Sequence, residues 1–253
     1  SGSYSTTDCM LSDYDGDGFP DVLSSGGTPN NMKLGVQLSK IGATNKLKSV
    51  TTPFGGTYEM EYTHSTPTQQ HPGGKWVMSK LTVKDNIRAE KDCPPVVSEF
   101  EYNGGKRDRR ERDFYGFAEV RTLRINGENK IESQIVQNYD TTNYYTSGTA
   151  IGSYVCDADH QLFSKDTSEI KMFDVSGQGH LDLATLIKES SRIFVAPTKT
   201  TSKRFEKNVE KGVVANIVEN EYGDYGNVEK YTYTDGIAQT GYTTNIKYKP
   251  IDK

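Results

Sequence analysis

The chain has 253 residues, of which 33% are hydrophobic, and carries a formal net charge of −4. That length supports one large β domain or two smaller ones. The acidic balance excludes a general nucleic-acid footprint, and no run approaches the roughly 20 apolar residues that cross a bilayer as a helix. The 16 tyrosines and 24 glycines point to many short strands and turns, because a tyrosine buries its ring while its hydroxyl stays wet.

No signal peptide is visible, and Ser1-Gly2-Ser3 reads as the remnant of a cut. The first chemical signal is Asp13–Asp21, D-Y-D-G-D-G-F-P-D, with carboxylates at positions 1, 3, 5 and 9 of one short loop. A hard divalent cation needs several converging oxygens, and Ca2+ accepts a flexible carboxylate cage. The expected ligands are Asp13, Asp15, Asp17, the Phe19 carbonyl at position 7, and Asp21. Gly16 and Gly18 let the backbone turn tightly enough to aim the side chains inward. Position 12 is Ser24, where a helical Ca2+ loop needs Glu, so the EF-hand pattern fails. Val22–Leu23 then leads to Ser24-Ser25-Gly26-Gly27, a brief strand and a turn. The bland alternative is a solvated Asp/Gly turn, against which the repulsion among four crowded carboxylates argues.

Met32–Leu38 alternates weakly, and Thr51–Gly56 (T-T-P-F-G-G) is a strong turn signal. Thr57–Tyr62 alternates cleanly, with Tyr58, Met60 and Tyr62 on one face. His64–Gly74 reads as a loop, and Trp76–Val83 as a strand with Val77, Leu81 and Val83 on one face. A strand around Val96–Tyr102 is expected to end in a hairpin at Asn103-Gly104-Gly105. The basic stretch Lys106–Arg112 is interrupted by Asp108 and Glu111 and followed by Asp113, and reads as a salt-bridged or solvated face. Asp113–Ile125 and Ile131–Tyr139 flank Asn126-Gly127, residues suited to a type I′ hairpin turn.

A second, weaker metal-like loop occupies Asp174–Asp182, D-V-S-G-Q-G-H-L-D. In the same frame its ligands are Asp174, Ser176, Gln178, His180 and Asp182, with Phe173, Leu181 and Leu183 as apolar anchors. Two lost carboxylates leave less charge to hold a dication; the alternative is a degenerate copy that keeps only the turn, with His180 at the surface. Leu183–Ile187 reads as a strand. Val213–Glu221, Lys230–Tyr233 and Thr243–Tyr248 read as strands about a Tyr/Gly turn at Tyr222–Val228. The best helical candidate, Val214–Val218, is too short to sustain a 3.6-residue period, so little helix is expected.

Cys9, Cys93 and Cys156 lie far apart and form no zinc spacing; one disulfide with a free thiol, or three buried thiols, both remain open. The histidines His64, His71, His160 and His180 sit in polar loops in no ligating pattern. Nucleophile elbow, P-loop, zinc-protease helix and dinucleotide fingerprint are all missing. The expected reading is therefore no enzyme.

Arg109–Phe117 (R-R-E-R-D-F-Y-G-F) resembles the R-E-x-x-F-x-G-F signature in the middle region of the B component of bacterial insecticidal toxin complexes (TcdB-like), and of related SpvB-like and RHS/YD-repeat proteins. Gly55–Tyr62 is similar to the family's strand after a glycine turn, and Gln137–Gly148 resembles the aromatic segment that follows the signature. Asp13–Asp21 and Asp174–Asp182 look like the aspartate loops of FG-GAP β-propeller blades, and Tyr222–Tyr233 is similar to a YD repeat. The resemblance implies an all-β fold of antiparallel sheets and short hairpins, with partial propeller-like and RHS-shell-like elements. Four segments are expected: a propeller-like Ca2+-loop segment at 1–50, a toxin-complex middle-like region at 51–150, the second aspartate loop at 151–200, and YD-like strands at 201–253. The implied role is scaffold in a secreted or bacterial cell-surface virulence protein. It would form part of a shell or docking element that contains or delivers a toxic polypeptide, with other toxin-complex subunits as partners. The alternative is a Ca2+-stabilised extracellular adhesion module that binds a cell-surface protein.

Overall fold

The computed structural model describes residues 8–15, 19–28, 30–41, 45–88, 92–174, 193–206, 212–223 and 225–249. Among them every helix or strand element is a strand, as the sequence predicts. Two compact units divide the chain, Ser1–Phe100 and Glu101–Lys253. The strands form a three-stranded sheet and a twelve-stranded meander whose order is the chain order. Val214–Val218, the helical candidate, lies inside a strand. Its β-branched residues fit a pleated, half-buried surface better than a helix.

In the first unit, β1 (Asp8–Ser12), β2 (Asp21–Thr28) and β3 (Asn31–Gln37) pair antiparallel. Cross-strand register places Met10, Leu23 and Val36 in one row, so their side chains share a face. The meander begins with β4 (Ser49–Thr51), β5 (Thr57–His64) and β6 (Trp76–Lys84). Tyr58 pairs with Val83 and Met60 with Leu81, but Tyr62 then pairs with Met78 because Ser79 is skipped. A bulge places two residues opposite one and inverts the alternation beyond it. The apolar row therefore continues through Met78 and Trp76, and Val77, expected on that row, falls on the other face opposite Thr63. The His64 and Trp76 rings meet edge to face, with centroids 5.7 Å apart, and Lys46 Nζ sits 5.1 Å from the Trp76 ring centre. Gly74 has a φ of 51°, and a Cβ there would collide with His64 Cε1 and the Ser65 carbonyl, so only glycine fits.

The chain enters the second unit within β7 (Val96–Arg107), followed by β8 (Phe114–Ile125), β9 (Ile131–Asp140) and β10 (Thr149–Asp157). The expected hairpin at Asn103-Gly104-Gly105 is not there: β7 runs straight through those residues. Gly104 instead takes a φ of 67° while staying in the strand, against Ala118. The chain reverses later, where the Asp108 N–H donates to the Asp113 carbonyl at 2.9 Å. The β8–β9 hairpin forms where expected, but the left-handed residue is Asn129 (φ 60°), which rules out a two-residue type I′ turn at Asn126-Gly127. Asn126 Oδ1 accepts from the N–H groups of both Glu128 and Lys130, and this side-chain turn sets the longer loop.

Leu123, Gln134 and Cys156 occupy one cross-strand row, beside Arg121, Val136 and Tyr154. These rows are the core of the unit, with Val136 only 1% exposed and Cys156 fully buried. Burying a valine side chain contributes roughly 1.5–3 kcal/mol. The remaining strands are β11 (Leu162–Asp174), β12 (Ile193–Arg204), β13 (Val213–Tyr222), β14 (Val228–Asp235) and β15 (Gly241–Asn245). Strands β10 to β12 carry little apolar periodicity, and cross-strand pairing holds them, with Lys199 and Glu219 at 2.9 Å as one ion pair. Phe173 stacks on Phe194 at 5.0 Å, and Tyr222 closes the cluster. All three cysteines are free thiols, but only Cys156 is buried; Cys93 is half-buried and Cys9 exposed.

Candidate functional site

The first aspartate loop links β1 to β2. Asp13, Asp15 and Asp21 each present a carboxylate oxygen, and these atoms lie within 4.8 Å of one another. Asp13 and Asp15 are exposed, whereas Asp21 is 1% exposed. Asp21 opens β2, and both of its oxygens are used: Oδ2 accepts the Tyr14 N–H at 2.8 Å and Oδ1 the Ser39 N–H at 2.7 Å. The Ser39 and Tyr14 N–H groups, with the Asp15 N–H in support, hold this carboxyl below its ordinary value despite the opposing effect of burial. Asp21 thus ties the start of the loop to the chain just beyond β3. Ser39 leaves no signal in the residue order, because it contributes only a backbone N–H.

The donor set fits a single hard cation. Ligand oxygens about 2.3–2.6 Å from one Ca2+ lie at most about 5 Å apart across the ion, and the three carboxylates meet that bound. An oxygen that accepts one N–H keeps a further lone pair for a metal. Phe19, proposed to ligate through its carbonyl, lies on the surface of the same loop, and Asp17 falls outside the described residues. Of the second loop, Asp174 is buried at the end of β11, opposite Ile193. Ser176, Gln178, His180 and Asp182, together with the anchors Leu181 and Leu183 and the expected strand Leu183–Ile187, lie outside the described residues.

The signature stretch forms a second constructed feature. Tyr115 is 4% exposed and donates its hydroxyl to Glu111 Oε2 at 2.8 Å. Burial, the Glu111 hydrogen bond and the charges of Asp108, Glu111 and Asp113 push its pKa up to about 12. Lys106 Nζ lies 5.7 Å from the Tyr115 ring centre and donates to the Thr142 carbonyl at 3.0 Å. The signature and the aromatic segment after it therefore meet at one corner of the sheet. An open groove of about 1050 Å³ lies near β14 and β15, lined among the described residues by Tyr225, Glu229, Lys230, Asn245, Tyr248 and others, none of them His, Ser or Cys.

A family model described as the insecticide toxin TcdB middle/N-terminal region matches residues 1–148. The chain belongs to the TcdB middle/N-terminal region family. The fold of this TcdB-family chain is shared with solved toxin-complex structures. A crystal structure of TcdB2-TccC3 without its hypervariable C-terminal region covers 98% of the chain at 12% identity with a TM-score of 0.65. A TcdB2-TccC3-TEV structure covers 90% at 13% identity and 0.66. A Photorhabdus luminescens Tc holotoxin pore covers 90% at 13% identity and 0.65. The TcdB-family chain spans 14% of the length of each of these neighbours. No curated protein matches the chain at the sequence level.

Proposed function

We propose that this chain is a scaffold module of a secreted or cell-surface toxin-complex or RHS-type protein. It forms part of a β shell or docking element that contains or delivers a toxic polypeptide, and its partners are the rest of that polypeptide and neighbouring toxin-complex subunits. The observation that carries this reading is the antiparallel meander of the second unit from β8 to β15, in which each strand pairs with its chain neighbour. Such a sheet extends a wall strand by strand and gathers few side chains around a reaction centre. The Tyr115 corner serves a wall in the same way, locking a turn with a buried ring and hydroxyl. The test is limited proteolysis of the longer polypeptide with and without residues 51–235. Loss of this segment exposes an enclosed passenger to cleavage, and unchanged protection sinks the scaffold reading.

The module binds Ca2+ through Asp13, Asp15 and Asp21, with Asp17 and the Phe19 carbonyl completing the cage, and the Asp174–Asp182 loop is a weaker second site. The bound ion would neutralise the three clustered carboxylates and fasten the loop to the three-stranded sheet. Calcium titration followed by thermal melting tests this, since a ligand that binds only the folded chain raises its stability. Asp15→Ala and Asp17→Ala each remove the Ca2+-dependent part of the melting shift. An unchanged shift in both variants rejects the site.

A second reading, a Ca2+-stabilised adhesion module for a cell-surface protein, draws on the exposed Met32, Leu34 and Val36 of β3. A receptor-bearing cell surface that retains the chain only with Ca2+ present favours it, and equal retention with and without the ion excludes it.

A further inference from the structure

The turn between β7 and β8 carries five cations and three carboxylates within residues 106–113. Its acids face its own chain. Asp108 Oδ1 accepts the N–H groups of Arg110 at 2.8 Å and Glu111 at 2.9 Å. Asp113 Oδ1 accepts the Phe114 N–H at 2.8 Å, and Glu111 Oε2 accepts the Tyr115 hydroxyl at 2.8 Å. Two of the cations are also turned back: Lys106 to the Thr142 carbonyl at 3.0 Å, and Arg107 Nη2 to the Arg112 carbonyl at 3.5 Å. Arg109, Arg110 and Arg112 remain exposed, and among the described residues none of them forms an ion pair. Elsewhere in the second unit, exposed arginines such as Arg124 and Arg204 do find carboxylates, so this trio differs from its surroundings.

We propose that Arg109, Arg110 and Arg112 form a preorganised docking knob for a carboxylate-rich polypeptide segment. The backbone beneath them is already ordered, with Asp108 and Asp113 closing the turn and Arg112 held at a φ of 58°. Binding therefore avoids the cost of ordering the loop. Guanidinium groups grip carboxylates with two parallel hydrogen bonds, which a peptide bearing several acidic side chains supplies. The knob is three residues wide on a chain of net charge −4. It fits a short acidic segment better than a nucleic acid, whose binding needs a broad basic face. This inference goes beyond the scaffold reading and does not depend on it.

The probe is a fluorescent hexaglutamate peptide, with anisotropy measured on the whole chain. Binding is expected at about 20 mM salt, with marked weakening at about 150 mM, because exposed charges are screened. The Arg109→Gln/Arg110→Gln variant binds roughly tenfold more weakly or not at all, with an unchanged melting temperature. A charge-matched variant at the exposed residues Lys165 and Lys171, both to Gln, retains affinity. Absence of peptide binding at low salt overturns the proposal, as does equal loss in the Lys165/Lys171 variant. Tighter arginine-dependent binding to phosphatidylserine vesicles than to the peptide also overturns it and assigns the knob to a membrane.

Discussion

Gly104 offers the sharpest test of how the second unit is built. It stays within β7 at a φ of 67°, and a Cβ placed there would lie 2.9 Å from Ala118 Cβ. Two penalties attach to Gly104→Ala. An L-residue in the left-handed region costs about 1–2 kcal/mol. Carbons prefer about 3.5–4.0 Å, so the added methyl also crowds β8 and costs about 1–3 kcal/mol in displaced backbone and side chains. Together they predict a loss of about 2–5 kcal/mol, read as a lower urea midpoint by far-ultraviolet circular dichroism, with roughly 2–4 °C of melting temperature lost per kcal/mol in a chain of this size. Ala118→Gly separates the two penalties, because it removes the methyl contact and leaves the φ strain. In that background Gly104→Ala should cost only about 1–2 kcal/mol, which gives a measurable coupling. If Gly104→Ala lies within about 0.5 kcal/mol of the parent, or if its cost is the same in both backgrounds, the reasoning about this strand is wrong.

Val136→Ala should cost about 2–3 kcal/mol through lost burial and a residual cavity, whereas Ile135→Ala next to it, at 44% exposed, should cost less than about 1 kcal/mol; urea titration of both variants checks the contrast. Asp21 has a depressed pKa, so its stabilising effect is complete above the ordinary carboxylate range near 3.8 and is lost as pH falls through its lowered value. In chelator, Asp21→Asn should melt at lower temperature than the parent at neutral pH, and the gap should narrow in acid. Tyr115 has the opposite sign: its raised pKa leaves its contribution intact below about 10 and removes it as pH rises through about 12. The parent should therefore lose stability relative to Tyr115→Phe across that alkaline window, as followed by melting at a series of pH values.

Much of the fold was legible in residue order because strand alternation and turn chemistry are local. Thr57–Tyr62 reads as a strand from its own alternation, and β5 contains it. Asn126–Lys130 reverses the chain because Asn126 bonds to the backbone two and four residues ahead. The three clustered carboxylates of the first loop were visible for the same reason, since their spacing along a short segment brings them together. Strands β10 to β12 were not legible, because polar residues such as Lys165, Asp166 and Thr167 form strands here only through pairing with neighbours.

Where the apolar row of β6 runs, whether the chain turns at Gly104, and what anchors Asp21 were all decided by partners distant in the chain. Glu61 opposite Lys80 and Tyr62 opposite Met78 create the bulge that sends Val77 to the far face. Ala118 presses on Gly104 while β7 continues. The Ser39 N–H, eighteen residues away, fixes the Asp21 carboxylate. Short-range hydrogen bonds and steric limits act between residues that the sequence already places side by side, so they can be read from it. Register, close packing and distant backbone donors depend on which segments meet, and that is known only once the chain has folded.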